Sequence, residues 1–109
     1  DRAADYYGAA REHAIVAHDT TAEADAARGH GEMLAARAEY TAADEALRQA
    51  QALYQRGRDR FGEIDTLNSL GRWEVVRAEV ELAATSFAQA MELAGPVEYA
   101  LGEADAALN

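Results

Sequence analysis

GEIDTLNSLG, Gly62 to Gly71, is a phrase that this chain writes more than once. Forty residues on, since 102 − 62 = 40, GEADAALN runs from Gly102 to Asn109 with the same opening, and forty residues back AEADAARGHG covers Ala22 to Gly31. Each copy carries acids at the same two places: Glu23 and Asp25, Glu63 and Asp65, Glu103 and Asp105. A fixed period of this length marks a chain built from stacked supersecondary units, because one such unit cannot bury its apolar face alone.

The stretches between the copies are helical too. Ala43, Leu47, Ala50 and Tyr54 step by four, three and four residues, and Ala83, Phe87, Ala90 and Ala94 repeat the rhythm, as do Ala3, Tyr7, Ala10 and Ala14. In the phrase itself Ile64, Leu67, Leu70 and Gly71 form an apolar side, answered by Ala24, Ala27, His30 and Gly31. Alanine is abundant, proline occurs once and strands have no support, so the pattern predicts an all-α fold. Helices are expected near residues 2–17, 21–38, 41–56, 60–78, 81–94 and 97–109, two kinds in alternation.

Boundary chemistry supports these limits. Thr20 with Glu23, and Thr41 with Asp44, have the spacing of a reciprocal hydroxyl–acid cap. Gly57 and Gly95 suit helix ends that need the left-handed conformation, and Pro96 suits the first turn of a following helix. Small residues at Gly31, Ala43, Ala50, Gly71, Ala83 and Ala90 allow close helix axes. The expected architecture is a right-handed α-solenoid of antiparallel helix pairs, about six helices in one domain over residues 1–109.

Composition narrows the function. With 20 acidic residues against 10 basic ones, every basic one arginine, the formal charge is −10, which argues against direct contact with nucleic acid. Absence of cysteine excludes disulfides and thiolate metal sites. No apolar run is long enough for a membrane span, and no secretory leader is visible, so a cytoplasmic protein or a fragment of one is expected.

The residues Leu67, Leu70, Gly71, Ala83, Phe87 and Ala90, with Gly95-Pro96 after them, resemble the tetratricopeptide repeat. Gly31, Ala43, Leu47 and Ala50 resemble it in the preceding copy, and Ala38-Glu39-Tyr40 and Ala78-Glu79-Val80 look like the family's tight turn. The period of forty is longer than usual in the family. It is similar to the long repeats of kinesin light chain and of helical modules in bacterial transcriptional regulators and signalling ATPases, which RGRDRFGEIDTLNSLG, Arg56 to Gly71, especially resembles. That resemblance implies a piece of a longer array.

It also implies a concave groove, lined by the helices that carry the repeated phrase. The groove would present Asp25, Arg28 and Glu32, then Asp65, Asn68 and Arg72, then Asp105. Asn68 stands where related repeats hydrogen-bond a peptide backbone, for which one amide both donates and accepts. A plainer reading stands beside this one. The glutamates and aspartates fall in first turns, where an acid gains about 0.3–1 kcal/mol from the helix dipole, and Asp25 with Arg28 has the spacing of an ordinary same-face pair.

Catalysis finds no named residues. His13 and His18 are five apart, a poor spacing for two metal ligands on one face, and His30 replaces a leucine on an apolar stripe. No nucleophile elbow or phosphate loop is present. Trp73 with Val75, Val76 and Val80 forms a cluster that would mark a partner or self-association surface where it reaches solvent. The expectation is therefore a non-enzymatic module without metal or cofactor, which captures an extended or helical segment of a basic protein partner. A homo-oligomerisation module is the alternative.

Overall fold

A computed structural model describes the backbone of residues 2–108 and the side chains of residues 2–95. The described chain is all-α. Its helices are α1 (Arg2–Val16), α2 (Thr20–Ala36), α3 (Tyr40–Arg56), α4 (Arg60–Val76) and α5 (Val80–Leu108). The middle three are each 17 residues long, and three-residue linkers place a helix start at every twentieth residue, at Thr20, Tyr40, Arg60 and Val80. The forty-residue period in sequence is thus one helix pair.

All four linkers make the same turn. Their second residues, His18, Ala38, Arg58 and Ala78, are left-handed with φ of 57°, 61°, 57° and 60°. Their third residues turn back on the finished helix: Asp19 N donates to Ala14 O, Glu39 N to Leu34 O, Asp59 N to Tyr54 O and Glu79 N to Glu74 O, at 2.8–2.9 Å. This six-to-one bond satisfies carbonyls that the helix end would leave open. The third residue is always acidic. Asp19 and Asp59 then cap the next helix, accepting from Ala22 N at 3.0 Å and Gly62 N at 2.9 Å.

Three local expectations are corrected. The caps are Asp19 and Glu39 rather than Thr20 and Thr41, because α2 begins one residue and α3 two residues earlier than the hydroxyl spacing suggests. Gly57 is right-handed, with φ −81°, since the left-handed place falls on Arg58. Finally, α5 runs unbroken for 29 residues through Gly95 and Pro96, where separate helices over 81–94 and 97–109 were expected. The physical reason lies one period back. Proline's fixed φ suits a helix and removes one hydrogen bond, and the linker Gly57-Arg58-Asp59 is matched forty residues on by Val97-Glu98-Tyr99, without the acid that caps α4.

Each helix packs on its sequence neighbour, and α2 also packs on α4. Among the described elements, α1 approaches neither α4 nor α5, so the helices do not close into a bundle. A radius of gyration of 15.6 Å, against about 13 Å for a compact chain of ~100 residues, agrees with an extended arrangement. Two clusters of buried residues stand in the core: Ala24, Ala27, Ala50, Leu53 and Tyr54 in one, and Leu47, Leu67, Leu70 and Ala90 in the other, with Ile64, Trp73 and Leu93 against them.

So much alanine gives little apolar area per residue, and the core gains by bringing axes close instead. A Cβ on Gly31 would lie 2.7 Å from Leu47 Cγ, and one on Gly71 would lie 2.6 Å from the ring of Phe87. Both contacts are the same contact one period apart, since 71 − 31 and 87 − 47 are each 40.

Candidate binding face on the second and fourth helices

Along α4, Phe61, Asp65, Asn68, Arg72 and Val76 are spaced by four, three, four and four residues, which lines them up on one side of the helix. All but the half-buried Asn68 are exposed. One period earlier, Thr21, Asp25, Arg28, Glu32 and Ala36 occupy the same positions on α2. Because α2 and α4 are packed together, the two stripes make one face.

Polar bonds cross between the stripes. Arg28 Nη1 donates to Asp65 Oδ2 at 3.3 Å. Ser69 Oγ donates to Glu32 Oε1 at 2.8 Å and accepts from Arg72 Nη2 at 3.1 Å. Asn68 makes no side-chain hydrogen bond with any described residue, which leaves its amide open on the face. Asp105 lies outside the residues whose side chains are described. On the described face three carboxylates, Asp25, Glu32 and Asp65, oppose two guanidinium groups, Arg28 and Arg72, so the acidic excess there is small.

The aspartates are equivalent in position and different in partner. Asp25 accepts a hydrogen bond from the Tyr54 hydroxyl, which reaches it from α3. Tyr54 is buried, and its ring lies across Gly62 of α4, where any Cβ would collide with the ring carbons. Arg28 covers that ring with its guanidinium 5.7 Å from the centroid. Burial first, and then the bond to Asp25, hold the hydroxyl well above the usual tyrosine range. One side chain therefore ties α3 to both α2 and α4.

Phe61 and Val76, at the two ends of the α4 stripe, are 65% and 60% exposed. Sequence reasoning did not place Phe61 on this face, although its spacing of four from Asp65 carries the signal. Tyr54 and Ser69 were missed as well. Neither recurs one period away, where Ala14, Ala94 and Gly29 stand, so the period that found the aspartates is blind to them.

The other sequence candidates are scattered. His13 and His18 are exposed, the latter in a linker, while His30 is half-buried and stacks on Tyr7 at 6.0 Å between centroids. Among the described residues no group of three or more histidine or acidic side chains has a geometry that would hold a metal ion. Trp73 is half-buried beside Tyr40, with its Nε1 unpartnered, and Val75, Val76 and Val80 are exposed at the turn between α4 and α5. No helix among the described residues is long and apolar enough to cross a membrane.

A cavity opens elsewhere. It measures about 460 Å³ and lies between α3, α4 and α5, lined in part by Glu63 and Leu67. Glu63 and Asp65 are two positions apart on α4, about 200° around the helix, so the cavity and the stripe face opposite ways. Comparison with known proteins finds no matching family model, no matching curated relative and no matching solved structure.

Proposed function

We propose that this chain is a non-enzymatic protein-interaction module, a tetratricopeptide-like α-solenoid whose α2–α4 face captures a segment of another protein. The observation that carries this reading is the stripe Phe61, Asp65, Asn68, Arg72 and Val76 beside its α2 counterpart. Exposed apolar groups bracket polar ones there, and an unused amide lies between them. An aliphatic or aromatic anchor against Phe61 or Val76, a basic group at Asp65 and backbone groups at Asn68 describe the expected partner. Modules of this kind serve as the regulatory or sensing part of larger proteins, and a bacterial transcriptional or signalling protein is the parent suggested by the resemblance of residues 56–71.

Phage-displayed dodecapeptides selected on the immobilised chain test this. Selected peptides should carry Lys or Arg together with a large apolar residue. Replacing Asp65 with Asn and Asn68 with Ala together should weaken them at least tenfold with helicity unchanged by circular dichroism. Unchanged affinity removes the groove reading.

One observation favours a second reading. Val75, Val76 and Val80 are exposed in close sequence around one turn, and an apolar patch of this kind also suits self-association. Light scattering across concentrations separates the two, since a self-associating module grows in mass without any peptide and a Val76→Glu variant would not.

A further inference from the structure

Arg11 of α1 reaches across the first helix pair. Its Nη1 donates to Gln49 Oε1 of α3 at 3.2 Å, and its Nε lies 3.8 Å from Glu23 Oε2 of α2. A guanidinium thus fills the cleft between the two flanking helices, held by a carboxylate from the helix beneath. Forty residues on, the acceptors are kept and the guanidinium is not: Glu63 stands for Glu23, Gln89 for Gln49, and Gln51 for Arg11. Those three residues line the cavity of about 460 Å³ between α3, α4 and α5.

We infer that this cleft is a second binding site, which accepts an arginine side chain presented by another protein in the place that Arg11 fills in the preceding pair. Its volume lies within the ~300–1,000 Å³ range of ligand pockets. Glu92, at the position of Ala52, adds a second carboxylate. Neither Glu63 nor Glu92 is in an ion pair with a described residue; Glu63 Oε2 accepts only from Gln55 Nε2, at 2.7 Å. Arg60 also lines the cleft, so the site carries two acids against one base before a ligand arrives.

The chemistry of the lining selects guanidinium over a simple ammonium ion. Two carboxylates and the carbonyl oxygens of Gln51 and Gln89 offer acceptors from α3, α4 and α5, which suits a planar group with five donors better than a point charge. Leu67 and Leu93 supply apolar lining for the aliphatic stem of the incoming arginine. The glutamine amides have donors left over for the peptide groups on either side of it.

Titration of the ¹⁵N-labelled chain with acetyl-Gly-Arg-Gly-amide, and with the same peptide carrying citrulline, tests the site. The side-chain amide signals of Gln51, Gln55 and Gln89 should move with the arginine peptide, and the uncharged citrulline peptide should bind at least tenfold more weakly. Glu63→Gln and Glu92→Gln should each weaken the arginine peptide at least tenfold, and by more than Asp65→Asn on the opposite face does. Gln51→Arg should supply the missing guanidinium from within, raise Tm and abolish peptide binding. Equal binding of the citrulline peptide, full binding by Gln51→Arg, or a greater loss of binding in Asp65→Asn than in Glu63→Gln would overturn the assignment. The last result would place the peptide on the α2–α4 face and leave the proposed function standing.

Discussion

Tyr54 passes over Gly62 to donate its hydroxyl to Asp25, so a residue of α3 reaches the face formed by α2 and α4 only because α4 has no side chain at that point. A methyl at residue 62 would occupy the space of the ring. Gly62→Ala should therefore destabilise the chain by about 1–3 kcal/mol, the range for overpacking a core. In a Tyr54→Leu background the same substitution should cost less, as coupled neighbours require. Urea unfolding of the four proteins checks both statements.

Tyr54 also makes stability depend on alkaline pH. Its folded pKa is raised by burial and by the bond to Asp25, while the unfolded hydroxyl titrates near ~10. For a raised pKa the contribution is complete below the unfolded value and is lost as pH climbs from there toward the folded one. The urea midpoint should fall above pH ~10, and Tyr54→Phe should fall less steeply over the same interval. At pH 7 the Phe variant should be weaker by about 0.5–1.5 kcal/mol through the lost hydrogen bond.

Two of the left-handed linker residues are alanines, Ala38 and Ala78, each holding a conformation that costs a non-glycine residue about 1–2 kcal/mol. Ala38→Gly and Ala78→Gly should each stabilise the fold, by up to about 1 kcal/mol once the greater freedom of glycine in the unfolded chain is set against the relief. Differential scanning calorimetry should show a Tm higher by a few degrees for each, and about twice that for the double variant.

Helix caps give a contrast within the repeat. Asp59 holds Gly62 N, whereas Glu39 at the equivalent place makes no capping bond with its side chain. Asp59→Ala should cost about 1 kcal/mol and Glu39→Ala only a few tenths. Equal losses in thermal melts would mean that the acids act through the helix dipole alone.

Period and composition made the regular part of this fold legible. Forty-residue offsets locate Asp25 and Asp65 on equivalent helix positions, and they pair Gly31 with Gly71 as places of close approach. What escaped was whatever broke the period or defied residue preference. Tyr54 occurs in one copy, so its bridge from α3 could not be read from the others. The left-handed turn was expected at Gly57 because glycine prefers it, yet the turn keeps its place in the register and forces Arg58 into that conformation. Continuation of α5 through Pro96 has the same origin, since proline reads as a boundary unless the missing acid cap is noticed.

The central claim is that equivalent side chains of α2 and α4 stand side by side on one wall. The chain has no cysteine, so Thr21→Cys with Phe61→Cys can be spin-labelled at two exposed positions one period apart. Dipolar broadening of the continuous-wave spectrum is the expected result, from helix axes about 8–10 Å apart. A doubly labelled spectrum no broader than the sum of the two single-label spectra would contradict the shared wall and the binding face built on it.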